Sequence, residues 1–343
     1  MKKFKNSLEI RPFLALIIIL FACEVLYRVM FGDSFFKITM VDGHFYGRLI
    51  DILRNGSKYV ILAIGMTMVL ATAGTDISVG SVMAIAASVA CSIVDERILP
   101  SLHGNVFAAV LIALLTGALC GAWNGLLVAK LNVQPIVATM ILLTAGRGIA
   151  QLISDGKIVT ITSDSYYFIN GGYFLGLPIP FYIALFVLII AIILTKRTAL
   201  GMAIESIGIN SESSRLSGIL VSKNLWVIYI FCGVMAALTG IVESAGIKGA
   251  DCNNCGLLYE MDGILAVALG GTALNGGRFS FVSSALGALI VQTISTVIYA
   301  FGVTPELTKV FKALIVIIIC LAQSPIFMAK LKGVFKKKGS VTA

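Results

Sequence analysis

Ten apolar runs follow one another along the chain, at roughly 12–31, 57–73, 79–94, 105–129, 135–153, 179–195, 224–246, 262–275, 280–301 and 307–328. Most are close to the length a helix needs to cross a bilayer, about 20 residues. The polar stretches between the later runs are short except for one, residues 196–223, KRTALGMAIESIGINSESSRLSGILVSK. This pattern predicts an all-α polytopic membrane protein with about ten transmembrane helices in one permease domain spanning 1–343. The alternating short segments of a membrane barrel are absent. The eighth run, GILAVALGGTALNGG, is the weakest, being short and Gly-rich. With the long insert after the sixth run, ten spans divide into five and five. An odd number in each half would make the halves inverted copies, although no internal sequence repeat stands out.

Composition agrees with the pattern. The chain is 58% hydrophobic and 13% charged, with a mean hydropathy of +0.99. A soluble fold could not hide that much apolar surface. With the N-terminus on the cytoplasmic side, the 196–223 insert and the tail at about 329–343 come out on that side too. Fifteen Lys and Arg residues fall there and eight on the other, among them Lys2, Lys3, Lys5, Arg11, Lys196, Arg197, Lys223 and Lys330. That asymmetry supports a multi-pass protein of the bacterial inner membrane with both termini cytoplasmic. It also accounts for the net charge of +9 without a nucleic-acid partner. The basic N-terminus resembles a secretory signal, but its apolar run continues to about Phe31, so it reads as an uncleaved first span.

Inside the 196–223 insert the punctuation predicts a helix of about two turns. Asn210 is placed to cap it, Glu212 lies near its positive end and Arg215 in its last turn, and Gly218 is a natural terminator. A self-capped helix held between two spans suits docking on a soluble partner, and an ordinary solvated loop is the plainer reading.

Candidate chemistry is confined to a few polar spots. Asp76 and Ser78, flanked by Gly74 and Gly80, form either a capped turn between spans two and three or a discontinuous helix lining a pathway. Asn124 lies near the end of span four. Arg147 sits within span five, where it is expected to face a cavity, a carboxylate or backbone carbonyls; pairing with Glu243 of span seven is one option. Asp251, Asn253 and Asn254 form a dense hydrogen-bonding run after span seven. Such groups suit a polyhydroxylated sugar, and they suit a re-entrant turn that satisfies its own backbone equally well. Cys252 and Cys255 have C-x-x-C spacing, but no second pair or His cluster completes a zinc site. His44 and His103 fall in outer loops, where solvation is the expectation. No phosphate loop, nucleophile elbow or H-E-x-x-H occurs, so the chain reads as a transport subunit and not an enzyme, with no cofactor or metal of its own.

Several of these motifs resemble the ribose/xylose-type permeases of ABC sugar importers. They are Ala-Ile-Gly-Met-Thr at 63–67, Thr-Asp-Ile-Ser-Val-Gly-Ser at 75–81, Gln-Pro at 134–135, Gly-Arg-Gly at 146–148, and the insert's 199–210 and 215–219. Within that family, Asp-Gly-His-Phe-Tyr-Gly (42–47) and Gly-Ala-Asp-Cys-Asn-Asn-Cys-Gly-Leu (249–257) are most similar to galactofuranose permeases. The resemblance covers about 49–328. It implies a membrane subunit paired with a second permease subunit, a cytoplasmic ATPase that binds ATP and Mg, and an extracytoplasmic sugar-binding protein. It also implies that Glu205, Gly208, Asn210, Ser211, Glu212, Arg215, Leu216 and Gly218 contact the ATPase. The path residues expected are Asp76, Asn124, Arg147, Asp251, Asn253 and Asn254. An ion-coupled secondary transporter is the rival reading, with Glu24 and Glu243 as its only acids well inside spans.

Overall fold

The computed structural model describes residues 2–41, 43–95, 97–98, 101 and 104–304, then 307, 310, 313, 314 and 317. His103, most of the tenth apolar run and the 329–343 tail lie outside the described residues. The chain forms two units, 1–292 and 293–343. The account below concerns the first.

Its helices are α1 (Lys2–Phe31), α2 (Arg48–Ala71), α3 (Val79–Val94), α4 (Val106–Ala129), α5 (Pro135–Ile153), α6 (Asp164–Gly171), α7 (Ile179–Arg197), α8 (Leu200–Ile209), α9 (Ser211–Leu216), α10 (Val221–Ile247), α11 (Tyr259–Leu269) and α12 (Phe281–Ala300), the last running on into the second unit. The molecule is a polytopic all-α membrane protein. Six described helices (α1, α4, α5, α7, α10 and α12) are long and apolar enough to cross a bilayer. α3 and α11 are the exceptions that matter. With 16 and 11 residues they are shorter than a bilayer-spanning helix. α11 also begins and ends earlier than the sequence pattern suggests, because Gly270 and Gly271 end it.

α3 is the hub. All sixteen of its residues are buried, enclosed by α4, α5, α10 and α11. Beside it α4 and α10 cross closely, since Gly117, Gly121 and Gly125 recur every four residues on one face of α4. A Cβ at Gly117 would lie 2.6 Å from the Gly233 carbonyl oxygen of α10, and one at Gly121 would collide with the Tyr229 carbonyl. Membrane helices gain nothing from hiding apolar side chains from lipid, so backbone approach along small residues supplies the packing energy instead. Large apolar side chains face outward, as Phe107, Leu111, Leu115 and Leu119 do along α4.

The helix termini mark two ends of the bundle. At the loop end, α7 leads through α8 and α9 into α10, and Ser222 Oγ donates to the Ala129 carbonyl at the close of α4 (2.6 Å). At the far end, short antiparallel pairs tie the connections together. Val159–Thr160 pairs with Gly249–Ala250, and the hairpins Thr39–Tyr46 and Tyr173–Pro178 meet through Phe45 N–H and the Gly176 carbonyl (3.2 Å). His44, expected to be solvated, is instead half-buried and stacked on Tyr173 with ring centroids 4.5 Å apart.

Candidate functional site

The chemistry gathers where two stretches of non-helical backbone enter the bundle from opposite ends. The first, residues 72–78, joins α2 to α3. α3 begins well inside the bundle, for Ser78 lies beside Asn124 of α4 and Met83 backs onto Gly240, about two-thirds of the way along α10. Irregular backbone at that depth is tolerated only where protein or a cavity satisfies it. Here Asp76, 2% exposed, does so. Its Oδ1 accepts from the Ser78 backbone N–H (3.0 Å) and from the Ser78 hydroxyl (2.6 Å). Asn124 Nδ2 donates to Ser78 Oγ (2.8 Å), the Tyr229 hydroxyl donates to the Thr75 carbonyl (3.4 Å), and Ile77 N–H reaches Thr139 Oγ1 (3.3 Å). The segment is therefore a buried turn at which the chain reverses, since α2 descends along α10 from Glu243 to Met235 and α3 climbs back to Gly240. Ser78 does not cap α3 with its own side chain; Asp76 holds the turn.

The second stretch, residues 251–258, dips from the far end until Gly256 touches Gly80. A Cβ at Gly256 would lie 2.5 Å from the Gly80 carbonyl oxygen, and one at Gly80 would collide with the Gly256 carbonyl. Both residues must stay bare for the two breaks to meet. Arg147 supports this loop from α5, its Nη1 donating to the carbonyls of Cys255 (2.5 Å), Cys252 (3.2 Å) and Asn253 (3.4 Å). The Arg147–Glu243 pair that the sequence allowed does not form. Glu243 accepts from Lys58 (2.5 Å) and from the Tyr259 hydroxyl (3.0 Å), joining α2, α10 and α11.

Asp251, Asn253 and Asn254 mostly serve their own turn. Asp251 accepts from the backbone N–H groups of Asn253 (3.0 Å) and Asn254 (3.2 Å) and from Asn254 Nδ2 (2.7 Å). Partial burial pushes the Asp251 carboxyl up, but the Asn254 amide and the two backbone N–H groups outweigh it and hold it below the usual range. The side chains of Asn253 and Asn254 are exposed, and Asn253 Oδ1 accepts from Gln151 (2.7 Å). Cys252 and Cys255 are buried free thiols. Among the described residues no three His, Cys, Asp or Glu side chains converge as a metal centre would require.

At the loop end, Asn210 Oδ1 accepts from Ser213 N–H (2.9 Å) and caps α9. Arg215 grips Glu212 through two bonds (2.6 and 3.1 Å), and this hydrogen-bonded cation holds the Glu212 carboxyl below its ordinary value. Gly218 takes φ +86° after the last turn. Ser211, Leu216 and Gly218 are exposed, Leu216 at 76%. The ten-residue α8, which the sequence reading left as loop, leaves Glu205 half-exposed and carries Gly208 into the body of the protein. Gly208 lies against the end of α2, where a Cβ would collide with the Ala71 carbonyl. Gly277 N–H donates to that carbonyl (2.8 Å), and the turn's Gly276 abuts Ala73 and Gly208. The exposed knob is thus joined through α8 to the residues that open the first break.

The family model described as a branched-chain amino acid transport system permease component matches residues 48–320. The chain belongs to this permease family. Relatives agree over nearly the whole length. The galactofuranose transporter permease protein YtfT of Escherichia coli is 45% identical over 304 residues, covering 88% of this chain and 87% of that protein. The fructose import permease protein FruF of Bifidobacterium longum is 38% identical over 329 residues, covering 94% and 90%. The ribose import permease protein RbsC of Haemophilus influenzae is 32% identical over 328 residues, covering 94% and 95%. No solved structure matches. The permease is a transport component and not an enzyme.

Proposed function

We propose that this permease is the membrane subunit of an ATP-binding-cassette importer that carries a monosaccharide of the galactofuranose or ribose type into the bacterial cytoplasm. A separate ATPase subunit holds ATP and Mg and docks on α8 and α9 at the cytoplasmic end. An extracytoplasmic binding protein delivers the sugar, and a second permease subunit completes the path across the inner membrane. The observation that carries this reading is the Gly208–Ala71–Gly277 junction. Force applied to the α9 knob passes through α8 into the 72–78 turn, so a rigid-body push shifts α3 against its neighbours.

The names of the relatives favour sugars over the amino acids of the family description. The polar inventory supports that choice: neutral and acidic acceptors suit hydroxyl donors. Of the two acids that the ion-coupled reading invoked, Glu24 is engaged by Arg28, the Ser34 hydroxyl and the N–H groups of Phe35 and Phe36, and Glu243 by Lys58 and Tyr259.

The test is to replace Ser211–Ser217 with a Gly/Ser tether in cells that express the ATPase and binding protein, and to follow labelled sugar uptake. Uptake is expected to vanish while membrane levels of the permease hold. Unchanged ATP-fuelled import through the tethered variant would sink the reading.

A further inference from the structure

Two buried side-chain atoms at the breaks have no hydrogen-bond partner among the described residues, Asn124 Oδ1 and Glu260 Oε2. Both are acceptors. The orientation of Asn124 follows from its network. The Ser78 hydroxyl spends its proton on Asp76, so Ser78 Oγ must accept, and the Asn124 atom facing it must be the amide nitrogen. That leaves the Asn124 carbonyl oxygen without a donor. Glu260, in the first turn of α11, is 9% exposed. Its Oε2 points at the first turn of α3, 2.7 Å from where a Cβ on Gly80 would stand. Nearby Arg147 directs its Nη1 to the loop carbonyls. Native proteins seldom leave such atoms unpaired in their interior, so each needs an explanation.

We infer that Glu260 is a sugar-hydroxyl acceptor on the transport path, with Asn124 as a second station on the other side of the same α3 turn. The missing partner must be a donor, and a monosaccharide presents several O–H donors at once. In this structure the Gly80–Gly256 backbone contact closes the space between the breaks. Moving the 251–258 loop and α11 away from α3 would uncover the carboxylate for a substrate, and re-forming the contact would expel it. Gly80 is bare because the acceptor and the opposing carbonyl both need its volume. This assignment rests on the importer reading above and supplies its substrate class with a specific contact.

The experiment measures concentration-dependent uptake of labelled ribose, fructose and galactofuranose by the complete importer, wild type against Glu260→Gln and Glu260→Asp. Membrane abundance and binding-protein-stimulated ATPase activity are recorded alongside. With whichever sugar the wild type transports, Glu260→Gln is expected to cut uptake at least tenfold while abundance and stimulated ATPase stay near wild type. Glu260→Asp, which keeps the carboxylate that Gln replaces with a weaker neutral acceptor, is expected to recover part of the transport. A deoxy analogue lacking the contacting hydroxyl should be carried equally by wild type and Glu260→Gln. Normal uptake by Glu260→Gln would show that transport does not need the carboxylate and would overturn the inference. Loss of the variant from the membrane, or equal losses in transport and ATPase, would make Glu260 a structural residue and overturn it too. If the wild type imports none of these sugars in an ATP-dependent way, it is the importer reading that fails.

Discussion

The two breaks are held by opposite chemistry, an acceptor at one and a donor at the other. At residues 72–78 a buried carboxyl, Asp76, takes both the backbone N–H and the hydroxyl of Ser78 at the start of a helix. At 251–258 a guanidinium, Arg147, gathers three backbone carbonyls, while Asp251 takes two N–H groups within the turn. The anchor of the first break is sealed within the bundle, where Asp76 and Asn124 are 2% and 0% exposed. The second reaches the surface at Asn253 and Asn254. Depth therefore decides how much each anchor matters, because water can replace a lost partner only where it can reach.

Asp76→Ala should break the comparison hardest. It strips the acceptor from both the N–H and the hydroxyl of Ser78, frees Ser78 Oγ to turn, and leaves Asn124 without a fixed orientation. A cost of about 2–3 kcal/mol is expected for donors orphaned at that depth, read as a lower melting temperature of the detergent-purified protein. Uptake should be lost with it. Asp76→Asn keeps one acceptor and should fall between the alanine variant and the wild type.

Arg147→Ala comes next. Carbonyls have spare lone pairs, and the loop is partly wet, so roughly 1–2 kcal/mol is the expected loss. Arg147→Lys should recover only part of the stability. An ammonium is a point donor, whereas the planar guanidinium can span neighbouring carbonyls. Equal damage from Asp76→Ala and Arg147→Ala would show that depth does not separate the two anchors.

How far the sequence reaches follows from the range of the contacts involved. α3 and α5 have the bounds that the apolar runs suggest, because Ser78 and Pro135 punctuate them locally. The α9 cap is equally local, with Asn210, Glu212, Arg215 and Gly218 all within nine residues. α8 escaped notice because its apolar pattern sits inside an insert framed by charges. Glu260 carries no local signal; its burial depends on a loop dipping to Gly80, 180 positions earlier in the chain. Lys58 and Glu243, 185 residues apart, are a pair for the same kind of reason. A sequence shows that a polar group lies near a membrane span, but it does not show which distant backbone comes to meet it.

The gentlest test concerns the outermost part of the second break. Replacing Asn253 and Asn254 together by Ala removes the Gln151 contact and one of the three bonds to Asp251, while both backbone N–H groups keep their acceptor. Exposed side chains of this kind usually change stability by no more than about 0.5 kcal/mol. The turn should therefore survive, and uptake should stay near wild type. Asp251→Ala, by contrast, removes the acceptor that both N–H groups share and should cost more than the double variant. If the Asn pair is lost without effect on melting temperature yet transport falls, those amides touch the sugar before Glu260 does. The second break would then carry a relay of hydroxyl contacts from surface to core, while the sealed first break would offer the sugar only Asn124.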